Sequence, residues 1–363
     1  MFNLKAIASL FDLRGDYVFG ESYGSGHIND TFRIEMDQAG IRVRFILQRV
    51  NSNVFKQPIP LMENVKRVTD EALRVLLEEG CKEAYRRTLT IIPARDGKPY
   101  AQDEEGNVWR VYPFIERART YDMIENPGQC VEVARAFGNF QKLGANLPGE
   151  PLFETIPDFH NTSKRLQNFR NAIAADPLGR AASVQKEIDW YLSREADCHR
   201  VVNYLASGEL PLRVTHNDTK LNNVMLDDVT GEGICVIDLD TTMPGSALYD
   251  FGDMIRTSTS PAAEDEKDIS KVTMRMEYFE ALAKGYCEAA TFLTPLEKEL
   301  LPFSGKLLTM ECGMRFLTDY LEGDTYFKIH RPEHNLDRTR TQMALVESIE
   351  KQMDDMMKIV AKY

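Results

Sequence analysis

The sequence predicts an α+β chain in two lobes: a small antiparallel-sheet lobe over residues 1–116 and a larger, mostly helical lobe over 117–363. Three observations predict it. The first third alternates apolar and polar residues in short runs separated by turn residues, the period of half-buried strands. Beyond Glu116, apolar residues recur three and four apart, the period of amphipathic helices. Near 212–239 two short apolar runs, Leu212–Val214 and Ile234–Leu239, interrupt the helices. A chain of 363 residues accommodates two such bodies at roughly 150 residues each.

The elements follow in order. Met1–Asp12 has a short apolar pattern without a basic leader or a long apolar run, and predicts an amphipathic helix, not a signal peptide. Tyr17–Tyr23, Thr31–Met36 and Ile41–Gln48 read as strands, with turn residues Asp37–Gly40 before the last. Leu61, Val65, Val68, Leu73, Leu76 and Leu77 mark a helix, with Pro58 and Pro60 ahead of it and Gly80 at its end. Leu89–Ile92 and Val108–Phe114 read as strands, and Asp96–Pro99 and Asp103–Asn107 as turns. Helices are predicted over Val131–Leu143, Ser163–Ala174, Ala181–Leu205, Ile269–Ala290, Pro295–Tyr320 and Arg338–Val360. The lobe boundary falls near Phe114–Arg119.

Composition narrows the function. A hydrophobic content of 43% and a charged content of 28% are those of a globular protein. The net charge is −12 and no Lys/Arg cluster stands out, which argues against nucleic acid and anionic membrane as partners. No apolar run approaches the ~20 residues of a membrane-spanning helix. The six cysteines are scattered, with no C-x-x-C pair, as expected of reduced thiols in a cytoplasm. No motif implies a protein partner.

The most informative segment is Val214–Leu226 with Val236–Asp240. Asp218 and Asn223 stand five residues apart after an apolar run, and Asp238 follows fifteen residues later inside the next one. Taken singly, each has a plain structural explanation: a loop Asp, a turn Asn, a hydrogen-bonded strand-end Asp. Together they supply what phosphoryl transfer requires, a carboxylate near the attacking hydroxyl and an amide oxygen plus a second carboxylate to hold magnesium. Asp238 lies among apolar Val236, Ile237 and Leu239, so it needs a partner such as a metal to be tolerated.

His216-Asn217-Asp218-x-x-x-x-Asn223 resembles the protein-kinase catalytic loop H-R-D-x-x-x-x-N, and Asp238-Leu239-Asp240 occupies the D-F-G slot. This form is similar to the aminoglycoside phosphotransferase and choline kinase branch of the kinase-like superfamily. Within it, Tyr23–Asn29, Trp109–Tyr112, Arg213–Asn223, Ile237–Thr241 and Glu264–Asp268 resemble the N-acetylhexosamine 1-kinases. The likeness runs from about Phe11 to beyond Tyr326. It implies a bilobal protein-kinase-like fold and transfer of a phosphoryl group from ATP, with Mg2+, to an N-acetylhexosamine. Kinases of another small alcohol (choline, homoserine, an aminoglycoside) and a nucleotide-binding pseudokinase are the alternatives.

Site residues follow in part from that resemblance and in part, for Lys220, Arg49, Arg315, Asp319 and Tyr326, from the chemistry of the residues and their position. Asp218 is the catalytic base and touches the substrate hydroxyl, and Lys220 is placed to neutralise the transferring group. Asn223 and Asp238 are magnesium ligands, and Asp240 is either a further magnesium group or a loop tie. Gly24, Ser25 and Gly26 form the nucleotide loop, whose backbone N–H groups can hold phosphate. His27 takes the place of a sugar-side histidine. Phe114, Ile115 and Glu116 lie in the adenine-reading hinge. Arg315, Asp319 and Tyr326 are sugar contacts, in a segment where an aromatic face stands beside hydroxyl-reading groups. His216 and Asp250 anchor the loop. The usual kinase β3 lysine is missing: Gln48 or Arg49 stands there, and Arg49 is the candidate phosphate grip. Thr257 stands where the 1-kinases can carry an aromatic residue.

Overall fold

The computed structural model describes residues 2–24 and 28–363, so Ser25, Gly26 and His27 lie outside the described residues. In chain order the first elements are α1 (Leu4–Ala8), β1 (Asp16–Ser22), β2 (Asp30–Gln38), β3 (Ile41–Arg49), α2 (Pro58–Glu78), α3 (Ala84–Arg87), β4 (Ala101–Gln102), β5 (Val108–Pro113) and β6 (Ala118–Arg119). Then come α4 (Pro127–Gly144), α5 (Thr162–Ala175), α6 (Gln185–Leu192), α7 (Glu195–Ser207), β7 (Arg213–Thr215), β8 (Val224–Asp227), β9 (Gly233–Val236), α8 (Ala247–Ser258), α9 (Met276–Ala289), α10 (Pro295–Glu322) and α11 (His334–Val360). The chain divides into two compact units. One holds residues up to Thr120 with Leu143–Pro157 and Val224–Pro244; the other holds Tyr121–Lys142, Asp158–Asn223 and Gly245–Tyr363. Two later segments therefore join the first unit, which a boundary read along the chain does not anticipate.

The first unit is built on an antiparallel sheet of order β1-β2-β3-β5-β4. Alternation places Ile34 and Met36 of β2 and Phe45 and Leu47 of β3 on the buried face, where they meet Ile7, Phe11, Trp109 and Val111. Burying each such side chain contributes roughly 1.5–3 kcal/mol. Helix α2 starts with Pro58 and Pro60 inside its first turn, where a missing N–H costs nothing. A second antiparallel sheet, β6-β8-β9, belongs to the same unit.

The second unit is helical. Its long helix α10 opens with a capping box between Thr294 and Glu297, satisfying two otherwise orphaned N–H groups. Helix α8 approaches α10 so closely that a Cβ on Gly252 would lie 2.3 Å from the carbonyl oxygen of Ser304. Gly252→Ala is expected to destabilise the protein by about 1–3 kcal/mol through overpacking, read as a lower denaturation midpoint. Among the described residues, no helix is long and apolar enough to cross a membrane.

The structure corrects four readings of secondary structure. Leu89–Ile92 is not a strand: Ile92 N–H bonds once to the Val111 carbonyl, at 2.9 Å, and Pro93, lacking an N–H, cannot extend a ladder. Ala181–Leu205 is three pieces, with a 3-10 turn at Ala181–Val184 and a break between α6 and α7. At that break the Ser193 hydroxyl donates to the Trp190 carbonyl at 2.7 Å, a local bond that competes with helix continuation. Ile269–Ala290 opens as a 3-10 turn at Ile269–Lys271, and the helix proper begins at Met276. The strand ending the catalytic region stops at Val236, and Asp238 lies beyond it with left-handed backbone, φ 59° and ψ 57°.

Candidate active site

In the second unit, β7 delivers the chain into the loop His216–Asn223, and α8 holds that loop in place. Asp250, fully buried on α8, accepts from the backbone N–H of His216 at 2.9 Å and of Asn217 at 2.7 Å. Its backbone carbonyl accepts the Thr219 hydroxyl at 2.6 Å. Burial pushes the Asp250 carboxyl above the usual range despite these donors and the nearby His216. One turn further on, Asp253 accepts the Thr219 N–H at 3.0 Å and the Arg256 Nε at 2.8 Å. His216 packs edge-on against Phe137 and Phe140, and its Nδ1 accepts the N–H of Asp218 at 3.3 Å.

This anchoring leaves Asp218 half-buried with its Oδ1 2.7 Å from the Lys220 ammonium. Burial alone would raise its pKa; Lys220 first, then His216 and Arg256, outweigh burial, and the carboxyl lies below its ordinary value. Lys220 is shifted the other way: burial lowers it, but Asp218 holds the ammonium above its ordinary value. The amide nitrogen of Asn223 donates to the carbonyl of Asp218 at 2.8 Å and to its Oδ2 at 3.1 Å. That orientation turns the Asn223 Oδ1 away from Asp218, as an oxygen ligand requires. A cavity of about 270 Å³ is lined by Lys220, Asn222, Arg256, Thr257, Glu264 and Gln342. A second, of about 230 Å³, is lined by Arg165, Arg315, Asp319 and Tyr326.

Those last residues differ in what they have to spare. Asp319 is 2% exposed, and its oxygens accept the backbone N–H groups of Thr325, Tyr326 and Phe327 at 2.7–3.0 Å and the amide of Asn335 at 2.8 Å. Its carboxylate thus shapes the loop that presents Tyr326. Arg315 lies over the rings of Phe159 and Phe327 at 5.5 Å, and Tyr326 is 68% exposed.

In the first unit, Gly24 is exposed with φ +81° and open space where a Cβ would be, a conformation that favours glycine. Asn29 lies just before β2: its Oδ1 accepts the Asn51 N–H at 2.9 Å and its amide donates to Asp240 Oδ2 at 2.6 Å. The other oxygen of Asp240 pairs with Arg110, and these two contacts are of the kind a loop tie would make. Arg110, 1% exposed, also donates to Gln48 Oε1 from Nε at 2.9 Å and Nη2 at 2.6 Å. Gln48, one of the two residues standing where the kinase lysine is expected, is thus an acceptor for a buried arginine that sequence reasoning gave no role. Arg49 donates to Asp30 at 2.7 Å and Asn107 at 3.1 Å, so its guanidinium is already engaged. The Phe114 N–H bonds to the Arg44 carbonyl at 3.1 Å, the Glu116 carboxylate pairs with Arg44 at 2.8 Å, and the Glu116 carbonyl accepts from Arg86 at 3.0 Å. Ile115 is buried between them.

Two residues carry, each taken by itself, an oxygen donor of a type magnesium accepts. Asn223 offers an amide oxygen, and Asp238 is an exposed carboxylate on a left-handed residue. Among the described residues no cluster of three His, Cys, Asp or Glu could hold a metal alone. Magnesium needs none, since it binds through one or two carboxylates plus phosphate oxygens and water.

The APH phosphotransferase enzyme family matches residues 20–296, and the chain belongs to that family. The chain is similar to an aminoglycoside phosphotransferase from Alicyclobacillus acidocaldarius, with TM-score 0.60, 11% identity and 96% of each chain covered. It is also similar to a choline kinase from Cryptosporidium parvum, with TM-score 0.55, 14% identity, and 97% of this chain and 94% of that one covered. A Plasmodium vivax ethanolamine kinase gives TM-score 0.54 at 13% identity, over 89% of this chain and 82% of that one. These likenesses are of fold: the architecture is kinase-like, a sheet-bearing N-terminal region followed by a mostly helical remainder.

Proposed function

We propose that the protein is a kinase of small alcohols that phosphorylates the anomeric hydroxyl of an N-acetylhexosamine, GlcNAc or GalNAc, using ATP. The observation that carries the reading is the loop in which Asp218 faces Lys220 at 2.7 Å while Asn223 turns its amide nitrogen onto Asp218. The blocks Tyr23–Asn29 and Arg213–Asn223 support the sugar. The cavity beside Lys220, about 270 Å³, lies near the lower end of ligand pockets and suits a small acceptor.

In this mechanism Asp218 accepts the anomeric proton as the sugar oxygen bonds to the γ-phosphorus. The bond from that phosphorus to the bridging oxygen breaks in line, and ADP leaves. Lys220, paired with Asp218 before substrate arrives, offsets charge on the transferring group. Asn223 and Asp238 would hold magnesium, which when bound screens the phosphate oxygens. Asp240 fixes the segment that carries Asp238. Arg315 and Tyr326 are the proposed sugar contacts, and Asp319 acts through the loop it shapes. Most of the rate comes from positioning and electrostatics.

The test is ADP release with magnesium-ATP against GlcNAc, GalNAc, glucose, galactose, choline, homoserine and kanamycin, with phosphorus NMR locating the new phosphate. Turnover on an N-acetylhexosamine with the phosphate at C1 is expected. Turnover on choline, homoserine or kanamycin alone would overturn the sugar and keep the phosphotransferase chemistry.

A further inference from the structure

His160 lies just before α5 and is 8% exposed. Its Nδ1 is 2.9 Å from Glu311 Oε1 on α10, and its Nε2 is 3.1 Å from the backbone carbonyl of Asn217. A carbonyl oxygen only accepts, and so does an ionised carboxylate. Satisfying both contacts therefore takes one proton more than a neutral imidazole and a carboxylate hold between them. Asn217 has φ 65°, a left-handed conformation that its backbone must be held in. The peptide it shares with Asp218 is gripped on both sides, its carbonyl by His160 and its N–H by His216 at 3.3 Å.

We propose that His160 and Glu311 are a proton-holding positioning pair for the catalytic loop, fixing the peptide from which Asp218 projects. While the pair keeps its extra proton, the imidazolium bridges Glu311 to Asn217. Once the proton is lost, one imidazole nitrogen turns a lone pair on an oxygen of either Glu311 or Asn217, and the bridge between the two is broken. For its kinetic consequence the proposal rests on Asp218 being the base.

The groups facing the pair favour the charged form. Burial disfavours protonation of His160, but Glu311 from α10 and Asp253 from α8 outweigh it and raise its pKa above the ordinary 6.5. Tyr249 of α8, its ring 5.1 Å away, is pushed up by burial and stays neutral. Burial would raise Glu311; His160 first, then Arg315 and Arg165, hold it below its ordinary 4.5. The contribution from His160 is thus complete below pH 6.5 and lost as pH rises through the folded value. That from Glu311 is complete above pH 4.5 and lost as pH falls through its folded value.

The test uses the full-length protein and its Glu311→Gln and His160→Gln variants. Histidine nitrogen NMR without ligand should show His160 holding both protons past pH 6.5, and Glu311→Gln should lower its midpoint by about one unit or more. Amide exchange at Asp218 and Thr219 should quicken over the same pH range. With magnesium-ATP and GlcNAc, Glu311→Gln should lower kcat about 10- to 100-fold at unchanged KM for ATP, and shift the alkaline limb to lower pH. Gln at 160 can donate to the Asn217 carbonyl without titrating, so His160→Gln should recover much of kcat and abolish that limb. A wild-type His160 that loses its second proton below pH 6.5, or an alkaline limb unmoved in both variants, overturns the pair. Absence of turnover on GlcNAc by the wild type would defeat the proposed substrate, and NMR and exchange would still decide the pair.

Discussion

Asn in place of Asp218 is expected to lower kcat by about 10²- to 10⁴-fold, the range a positioned general base supplies, and to leave ATP affinity unchanged. The amide keeps the size of the carboxylate but cannot take the hydroxyl proton. The anchors of the loop, Asp250 beneath His216 and Asn217 and Asp253 beneath Thr219, are untouched by the change. A companion measurement reads the ion pair. Lys220, followed by His216 and Arg256, holds the Asp218 carboxyl below its ordinary 3.8, so the base stays ionised above that value and the acid limb of kcat/KM lies below it. Lys220→Met removes the largest of these charges and leaves burial to act, so the acid limb moves to higher pH. Near-full turnover in Asp218→Asn, or an acid limb that stays put in Lys220→Met, would remove Asp218 from the role of base.

The loop was legible in the sequence because its chemistry is local. Asp218 and Asn223 are separated by a spacing that one tight turn can close, and Asp250 follows a small-residue turn at the start of α8. What the sequence could not show are partners brought together by folding. Arg110 and Asp240 are 130 residues apart, and no periodicity on β5 says that an arginine in a strand of buried residues has a carboxylate waiting for it. His160 reads as an ordinary polar residue before a helix until Glu311 and Asn217 are placed around it. The sugar-side reading of Asp319 met a similar limit: an aspartate at the end of a long helix is as well suited to capping the next loop's N–H groups as to binding hydroxyls, and here it meets three of them. Leu89–Ile92 has strand composition, and Pro93 denies it a ladder.

Removing Asp240 alone should destabilise the first unit by about 3–5 kcal/mol, because it leaves a buried guanidinium without its counter-charge. Arg110 and Asp240 are 1% and 2% exposed at their side chains. Burial works against the Arg110 charge, and Asp240 first, with Tyr112 and Asp238, keeps the guanidinium above its ordinary pKa. In Asp240→Leu the remaining Gln48 acceptor is neutral and cannot replace a carboxylate. The double replacement Arg110→Met with Asp240→Leu should regain most of the loss, since an apolar pair of similar volume removes both charges together. The chain has two tryptophans, so urea unfolding in a Trp190→Phe background lets Trp109, fully buried beside Arg110 on β5, report the first unit. The measurement also separates the two roles open to Asp240. A loop tie predicts a large stability loss without magnesium and its recovery in the double variant. A magnesium ligand predicts little stability loss without the metal and a weakened metal dependence of turnover that the double variant does not repair. With one oxygen on Arg110 and the other on Asn29 at 2.6 Å, the first pattern is expected, and the second would return Asp240 to the metal.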